Sequence, residues 1–409
     1  MQTGSFLYIL APIILQTFVP SQVHVSLSDL PNEFVFSWAT PLPTRSSYVR
    51  LTQESIWVYF EGASSVFIDQ STKWYFHTVR AVLDPGSVYT YQVGCQSEGF
   101  SEDFLLRTPP ETGKVRTLVL GDFSVKDLGK ATWETIKTYH ETWGISSLIM
   151  LGDLAYDLHS ELSSKGDEFM DEIQSVVSKI PLMVCAGNHE KFDKYHNYLS
   201  RFAMPGNQFF FTYTLGHARF VVLHTEALVY GNEDLEGMLS FLKKALNRSK
   251  KDKEKHPWLI VYGHRPLYCL SLIKGGACGR EASILKRQVE DLFFLNDVDL
   301  YLSGHVHNYQ RTHPVFKDLV TTKWDDKVKG YINPKSTIYV VTGAAGSDQS
   351  NTQVKNDQGI EYMASWSSRV SFGKLSVENK THLLWSQVDS ESREDIDSFW
   401  VVKRSNKRS

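Results

Sequence analysis

Five apolar runs in this chain each stop at a polar group that could bind a metal. The groups are Asp122, Asp153, Asn188-His189-Glu190, His264 and His305-Val306-His307. Singly, each has a plain explanation. An aspartate after glycine often caps the next helix. An asparagine can hold a tight turn, and a lone apolar-flanked histidine is more often a satisfied structural residue than a ligand. Together they make a set of hard oxygen donors and imidazoles without an evident thiolate, which suits Fe, Mn or Zn better than a soft metal. Asp122, Asp153, Asn188, His264, His305 and His307 supply six donors. Two metals sharing one bridging ligand need about seven protein ligands.

Rigid elements must hold such groups. TLVLGD, SLIMLGD, LMVCAGN, FVVLHT, WLIVYGH, LYLSGH and IYVVTG read as buried strands. Between them ATWETIKTYHETW, GDEFMDEIQSVVSKI, EGMLSFLKKALNRS and ILKRQVEDLFFLN carry helical spacing. The alternation predicts an α/β core. Ligands of such sheets sit beyond the carboxyl ends of the strands, where the polar groups stand. Residues 343–346, Gly-Ala-Ala-Gly, read as a turn rather than a phosphate cradle. Upstream the pattern differs. HVSLSD, EFVFSWAT, SIWVYFEG, KWYFHTVRAVL and VYTYQVGC are short strands with turn signals between them, including Asp84-Pro85-Gly86. They predict a β-sandwich, joined to the rest through Thr108-Pro109-Pro110-Glu111-Thr112-Gly113.

A length of 409 residues suggests two domains. With 42% hydrophobic and 22% charged residues the composition is that of a globular protein, and a net charge of −3 argues against nucleic acid as a partner. Residues 6–19 are apolar but short for a bilayer span, so residues 1–21 are expected to be a signal peptide. The fit is imperfect: no Lys or Arg precedes Arg45, and no A-x-A site is visible. Two sequons, at Asn247 and Asn379, agree with secretion and glycosylation. A membrane span in the mature chain is not expected. Cys269 and Cys278 are close enough to close a short disulfide loop; Cys185 reads as a buried thiol, and Cys95 is unassigned.

The order G-D, G-D-x-x-Y, G-N-H-E, G-H, G-H-x-H, standing here as GDFS, GDLAY, GNHE, YGH and GHVH, resembles the metal-binding signature of the purple acid phosphatases, within the metallophosphoesterase superfamily. The blocks WYFHTVRAVLDPGSVYTYQVG and IDSFWVVK are similar to the iron/zinc type of that family. The resemblance implies a fibronectin III/Ig-like β-sandwich over residues 22–108. A metallophosphoesterase α/β sandwich, two mixed sheets flanked by helices, would follow over residues 114–409. It implies that Asp122, Asp153, Tyr156 and His307 hold Fe(III), and that Asp153, Asn188, His264 and His305 hold a divalent Fe, Zn or Mn, with Asp153 bridging. Tyr156 is then the seventh ligand, where related phosphoesterases often use a histidine at the position of Ser124. His189 would orient phosphate or protonate the leaving group.

The implied activity is acid phosphatase: hydrolysis of small phosphate monoesters by a hydroxide formed from water that the metals acidify. The implied setting is a secreted or lysosomal/vacuolar compartment. A phosphodiesterase or nucleotide pyrophosphatase, or a low-turnover metal-binding homologue, are the alternatives. The sequence departs from the family pattern in three places. Ser124 replaces a glycine, Gln310 an acidic residue, and the loop of residues 269–283 lacks the usual histidine, with Arg280 and Glu281 in that region.

Overall fold

The computed structural model describes residues 19–404 apart from 70–71, 127, 232–233, 271–275, 348–351 and 355–358. The expected signal peptide lies almost wholly outside the described residues. Ser21 opens the first strand.

The N-terminal part is two antiparallel sheets packed face to face. One runs in the order Ser21–Leu27, Glu33–Thr40, Thr72–Val82, Ala63–Asp69. The other has Tyr48–Thr52 between Val58–Glu61 and Val88–Cys95. Between them lie Val23, Phe36, Trp38, Val49 and Tyr91, all buried, with Phe36 edge-on to Tyr91 at 5.0 Å. Polar groups enter this layer around His77. His77 is stacked on Trp38 at 4.9 Å and bonded to the hydroxyls of Thr40 and Ser47, each at 2.8 Å. This sandwich does not stand free: the Tyr91 hydroxyl donates to the Ser178 carbonyl at 2.6 Å, and the Val23 amide donates to Gln174 at 2.7 Å.

The larger part is α/β, with two mixed seven-stranded sheets. In the first, Leu182–Val184, Ser147–Met150 and Val115–Leu120 are parallel neighbours. In the second, Ala218–Val222, Trp258–Tyr262, Leu300–Ser303 and Ile338–Thr342 are parallel neighbours. These are the seven apolar strands expected, and all their residues but Arg116 are buried, as suits helix-covered parallel strands. Gly129–Thr142, Ser164–Val177 and Leu235–Lys251 are the expected helices, the last capped by Asp234 accepting from the Gly237 amide. The fourth is not one regular helix. It alternates α and π turns from Ala282–Leu285 through Lys286–Glu290 to Asp291–Leu295. The meander Ser371–Val377, His382–Asp389, Asp395–Val402 was not foreseen. It completes the first sheet beside Val115–Leu120. Residues 343–346 form a bend whose Gly346 carbonyl accepts from the Ser124 amide at 3.0 Å.

Candidate metal centre

The carboxyl ends of both sheets meet at one seam. The first sheet brings Asp122, Asp153 and Asn188 to it, and the second brings His264, His305 and His307. The backbone there is forced. Asp122, Asp153, Tyr156 and His305 all sit at positive φ, between 46° and 67°. Each such residue costs about 1–3 kcal/mol, so this geometry does not serve stability. Two glycines allow the close approach. A Cβ on Gly187 would fall 2.2 Å from Asp153 Oδ1, and one on Gly304 would fall 2.4 Å from Asp122 Oδ2.

Two clusters result. In one, the Tyr156 hydroxyl lies 3.1 Å from Asp122 Oδ1 and 2.7 Å from His307 Nε2, and His307 Nε2 lies 3.2 Å from Asp122 Oδ1. Burial, then the charges of Asp122 and Asp153, push the Tyr156 phenol far up. His307 Nδ1 faces Ser347 Oγ at 3.4 Å, which leaves Nε2 turned into the cluster. In the other, His264 Nε2 lies 3.2 Å from Asp153 Oδ2, 3.1 Å from Asn188 Oδ1 and 3.2 Å from His305 Nδ1. Its Nδ1 donates to the Leu151 carbonyl at 2.8 Å, so Nε2 is the nitrogen that can ligate. Donor atoms of Asp153, His264 and His305 all lie within 4.8 Å of one another.

The charge of the seam fits cations. Asp122, Asp153, Glu190 and Glu226 are each 3% exposed or less. Buried anions need partners, and the site pulls protons in their place. Burial would lower His264, but the Asp153 charge overrides it and lifts the imidazole to about 10. Asp153 is held low: His264 and His189 outweigh its own burial. The donor types, their spacing and this excess of anionic charge therefore suit a pair of hard metal ions.

His189 is in neither cluster. Its amide donates to Asp153 Oδ1 at 2.9 Å, its Nδ1 bonds Asp157, and its Nε2 is 3.9 Å from Asp153 Oδ2. The ring is partly exposed at the mouth. Burial would lower it, but the Asp157 bond and the Asp153 charge raise it to about 9. Glu190 has a different task. It accepts from the amides of Asp153 and Leu154 at 2.8 Å and of Gly187 at 2.7 Å, tying two ligand loops together. The sequence alone assigns no role to Asp157 or Glu190. The one available signal was their place inside GDLAYD and GNHE.

The loop without the usual histidine is closed by a disulfide between Cys269 and Cys278, while Cys95 and Cys185 are buried free thiols. Glu281 follows it and bonds Arg265, which Glu226 grips through both oxygens at 2.5 and 2.9 Å. Of the sequons, Asn379 lies on an exposed turn. Asn247 lies on a helix, with Ser249 buried and bonded to the Ala245 carbonyl.

Family models match three consecutive segments. These are the purple acid phosphatase N-terminal domain over residues 20–108, the calcineurin-like phosphoesterase over 115–309, and the iron/zinc purple acid phosphatase-like protein C over 336–398. Human acid phosphatase type 7 (Homo sapiens) is 30% identical over 94% of this chain and 91% of its own length. Purple acid phosphatase 18 of Arabidopsis thaliana is 28% identical over 94% of this chain and 84% of its own. Among solved structures, a purple acid phosphatase from yellow lupin (Lupinus luteus) seeds superposes with a TM-score of 0.83. It is 22% identical, over 95% of this chain and 75% of the lupin chain, a likeness of fold.

Proposed function

This chain belongs to the purple acid phosphatase family and is an acid phosphatase; we propose that it hydrolyses phosphate monoesters at a binuclear centre of Fe(III) and one divalent ion, Fe, Zn or Mn. Asp122, Asp153, Tyr156 and His307 would hold the iron. Asp153, Asn188, His264 and His305 would hold the divalent ion, with Asp153 shared. When bound, such a pair neutralises phosphate oxygens and lowers the pKa of water enough to make hydroxide at acidic pH.

The chain's own residues do the rest. Buried walls around Asp122, Asp153 and His264 exclude bulk water, so charges inside act strongly. Asp157 fixes the His189 ring through Nδ1, with Nε2 3.9 Å from Asp153 Oδ2. From there Nε2–H can hold a phosphate oxygen or give its proton to the leaving alkoxide. The observation that carries this reading is the pairing of the two clusters in one anionic seam, with Asp153 belonging to the second and acting by charge on the first.

The same reading assigns residues 1–21 to a signal peptide, 22–108 to the sandwich domain and 114–409 to the catalytic domain. It places the protein outside the cell or in a lysosomal or vacuolar compartment, with a glycan at Asn379 and, less favoured by its helix, at Asn247. Among the described residues no helix is long and apolar enough to cross a membrane.

Colour tests the iron assignment. A phenolate on Fe(III) gives a visible charge-transfer band, which carboxylate and imidazole do not. The wild type should be pink to purple, and Tyr156→Phe should lose the band while remaining folded. An iron-loaded wild type without the band, or a variant that keeps it, would remove Tyr156 from the ligand set. Relative rates on phosphate mono- and diesters then decide the substrate class.

A further inference from the structure

The three cluster histidines differ in how their second nitrogen is satisfied. His264 Nδ1 has the Leu151 carbonyl and His307 Nδ1 has the Ser347 hydroxyl. Both partners can accept a proton, so each ring can turn a bare Nε2 inward. His305 is reversed: its Nδ1 faces His264 at 3.2 Å and its Nε2 points outward. For Nδ1 to ligate, Nε2 must carry the proton and find an acceptor. Arg265 Nη1 is nearest, at 2.7 Å. A guanidinium has donors only, and pairing with it leaves the proton on Nδ1, aimed into the site. The other neighbour is Glu281 Oε2, at 3.4 Å.

We propose that Glu281 is a positioning residue: its carboxylate accepts the His305 Nε2 proton and so commits Nδ1 to the divalent ion. The proposal rests on the binuclear reading above. A carboxylate behind a ligating imidazole fixes its tautomer and raises its basicity. Glu281 is built to stay there. Arg265 bonds the same Glu281 oxygen, and Arg265 is itself held by Glu226, which is fully buried. The disulfide at Cys278 anchors the chain three residues before it. The loop that lacks the family's histidine thus carries a group for the metal rather than for the phosphate.

The test is metal binding, read apart from turnover. Wild type, Glu281→Ala and Glu281→Gln are stripped, reloaded with iron and zinc, and titrated with a chelator while each metal is counted per chain. Wild type should hold two metals. Glu281→Ala should keep its iron and bind zinc about 10–100-fold more weakly, and Glu281→Gln, which keeps an acceptor oxygen, should lie between. Unfolding midpoints of the metal-free forms should agree within a few degrees, because the loss concerns a tautomer and not the fold. Zinc held by Glu281→Ala at wild-type affinity would overturn the role of Glu281 alone. Equal loss of iron and zinc would overturn it too, by showing general disruption. A wild type that takes up fewer than two metals would overturn the binuclear reading beneath it.

Discussion

His77 and His264 are both buried, at 1% and 0% exposure, yet they behave in opposite ways. In the N-terminal sandwich, His77 meets two hydroxyls and a tryptophan face, and burial lowers it to about 4. It is a neutral hydrogen-bonding spacer. In the seam, His264 meets Asp153 and the more distant charges of Asp122 and Glu226, and it rises to about 10. Burial alone therefore does not separate the two histidines. The anionic charge around His264 does.

The contrast can be broken most severely at its source. Asp153→Asn removes the shared charge, so both metals should be lost and phosphatase activity should fall to the buffer background; elemental analysis and a monoester assay check this. Two metals retained at normal affinity would show that Asp153 does not bridge. His189→Ala should leave both metals in place and lower kcat by roughly a hundredfold, the usual scale of acid–base assistance. The loss should shrink for esters whose leaving group needs no proton.

The mildest effect on catalysis belongs to His77→Phe, which keeps a ring on Trp38 but removes the partner of Ser47 and leaves Thr40 only the Leu42 carbonyl. Unfolding free energy should drop by about 1–3 kcal/mol, with kcat per folded molecule unchanged. The wild-type histidine also has a pH consequence. Its folded value lies below its unfolded one, so its neutral form favours folding above about pH 6.5, and this is lost as pH falls toward 4. The loss is at most about 3 kcal/mol. His77→Phe should flatten that part of the stability curve in urea unfolding between pH 7 and 4.5. His24, also lowered to about 4 by burial, would keep some of the slope. An unchanged slope would show that His77 is not titrating.

What could be read from the sequence follows the range of each signal. The seven apolar strands and their polar ends were legible because run and end group are adjacent in the chain. The pairing of Asp122 with Tyr156 and His307 was legible through the family motif rather than through spacing. Glu190, Asp157, Arg265 and Glu281 were not, because each reaches a group on another loop: Glu190 meets Asp153 across 37 positions, Glu281 meets His305 across 24, Arg265 across 40. The strands Ser371–Val377, His382–Asp389 and Asp395–Val402 were missed for a related reason. Their alternating polar residues gave no buried run, and their place beside Val115–Leu120 depends on a pairing more than 250 residues away in the chain. The disulfide was legible because its cysteines are only nine residues apart.

The seam has a mechanical meaning as well. Asp122, Asp153 and Asn188 stand on one sheet, and His264, His305 and His307 on the other. A pair of ions held by all of them would act as rivets between two plates. Their binding energy would add to the cohesion of the layers by mass action. Stripping them would loosen the plates first at this edge, and amide exchange along Ser147–Met150 and Leu300–Ser303 would register the parting before either sheet came undone.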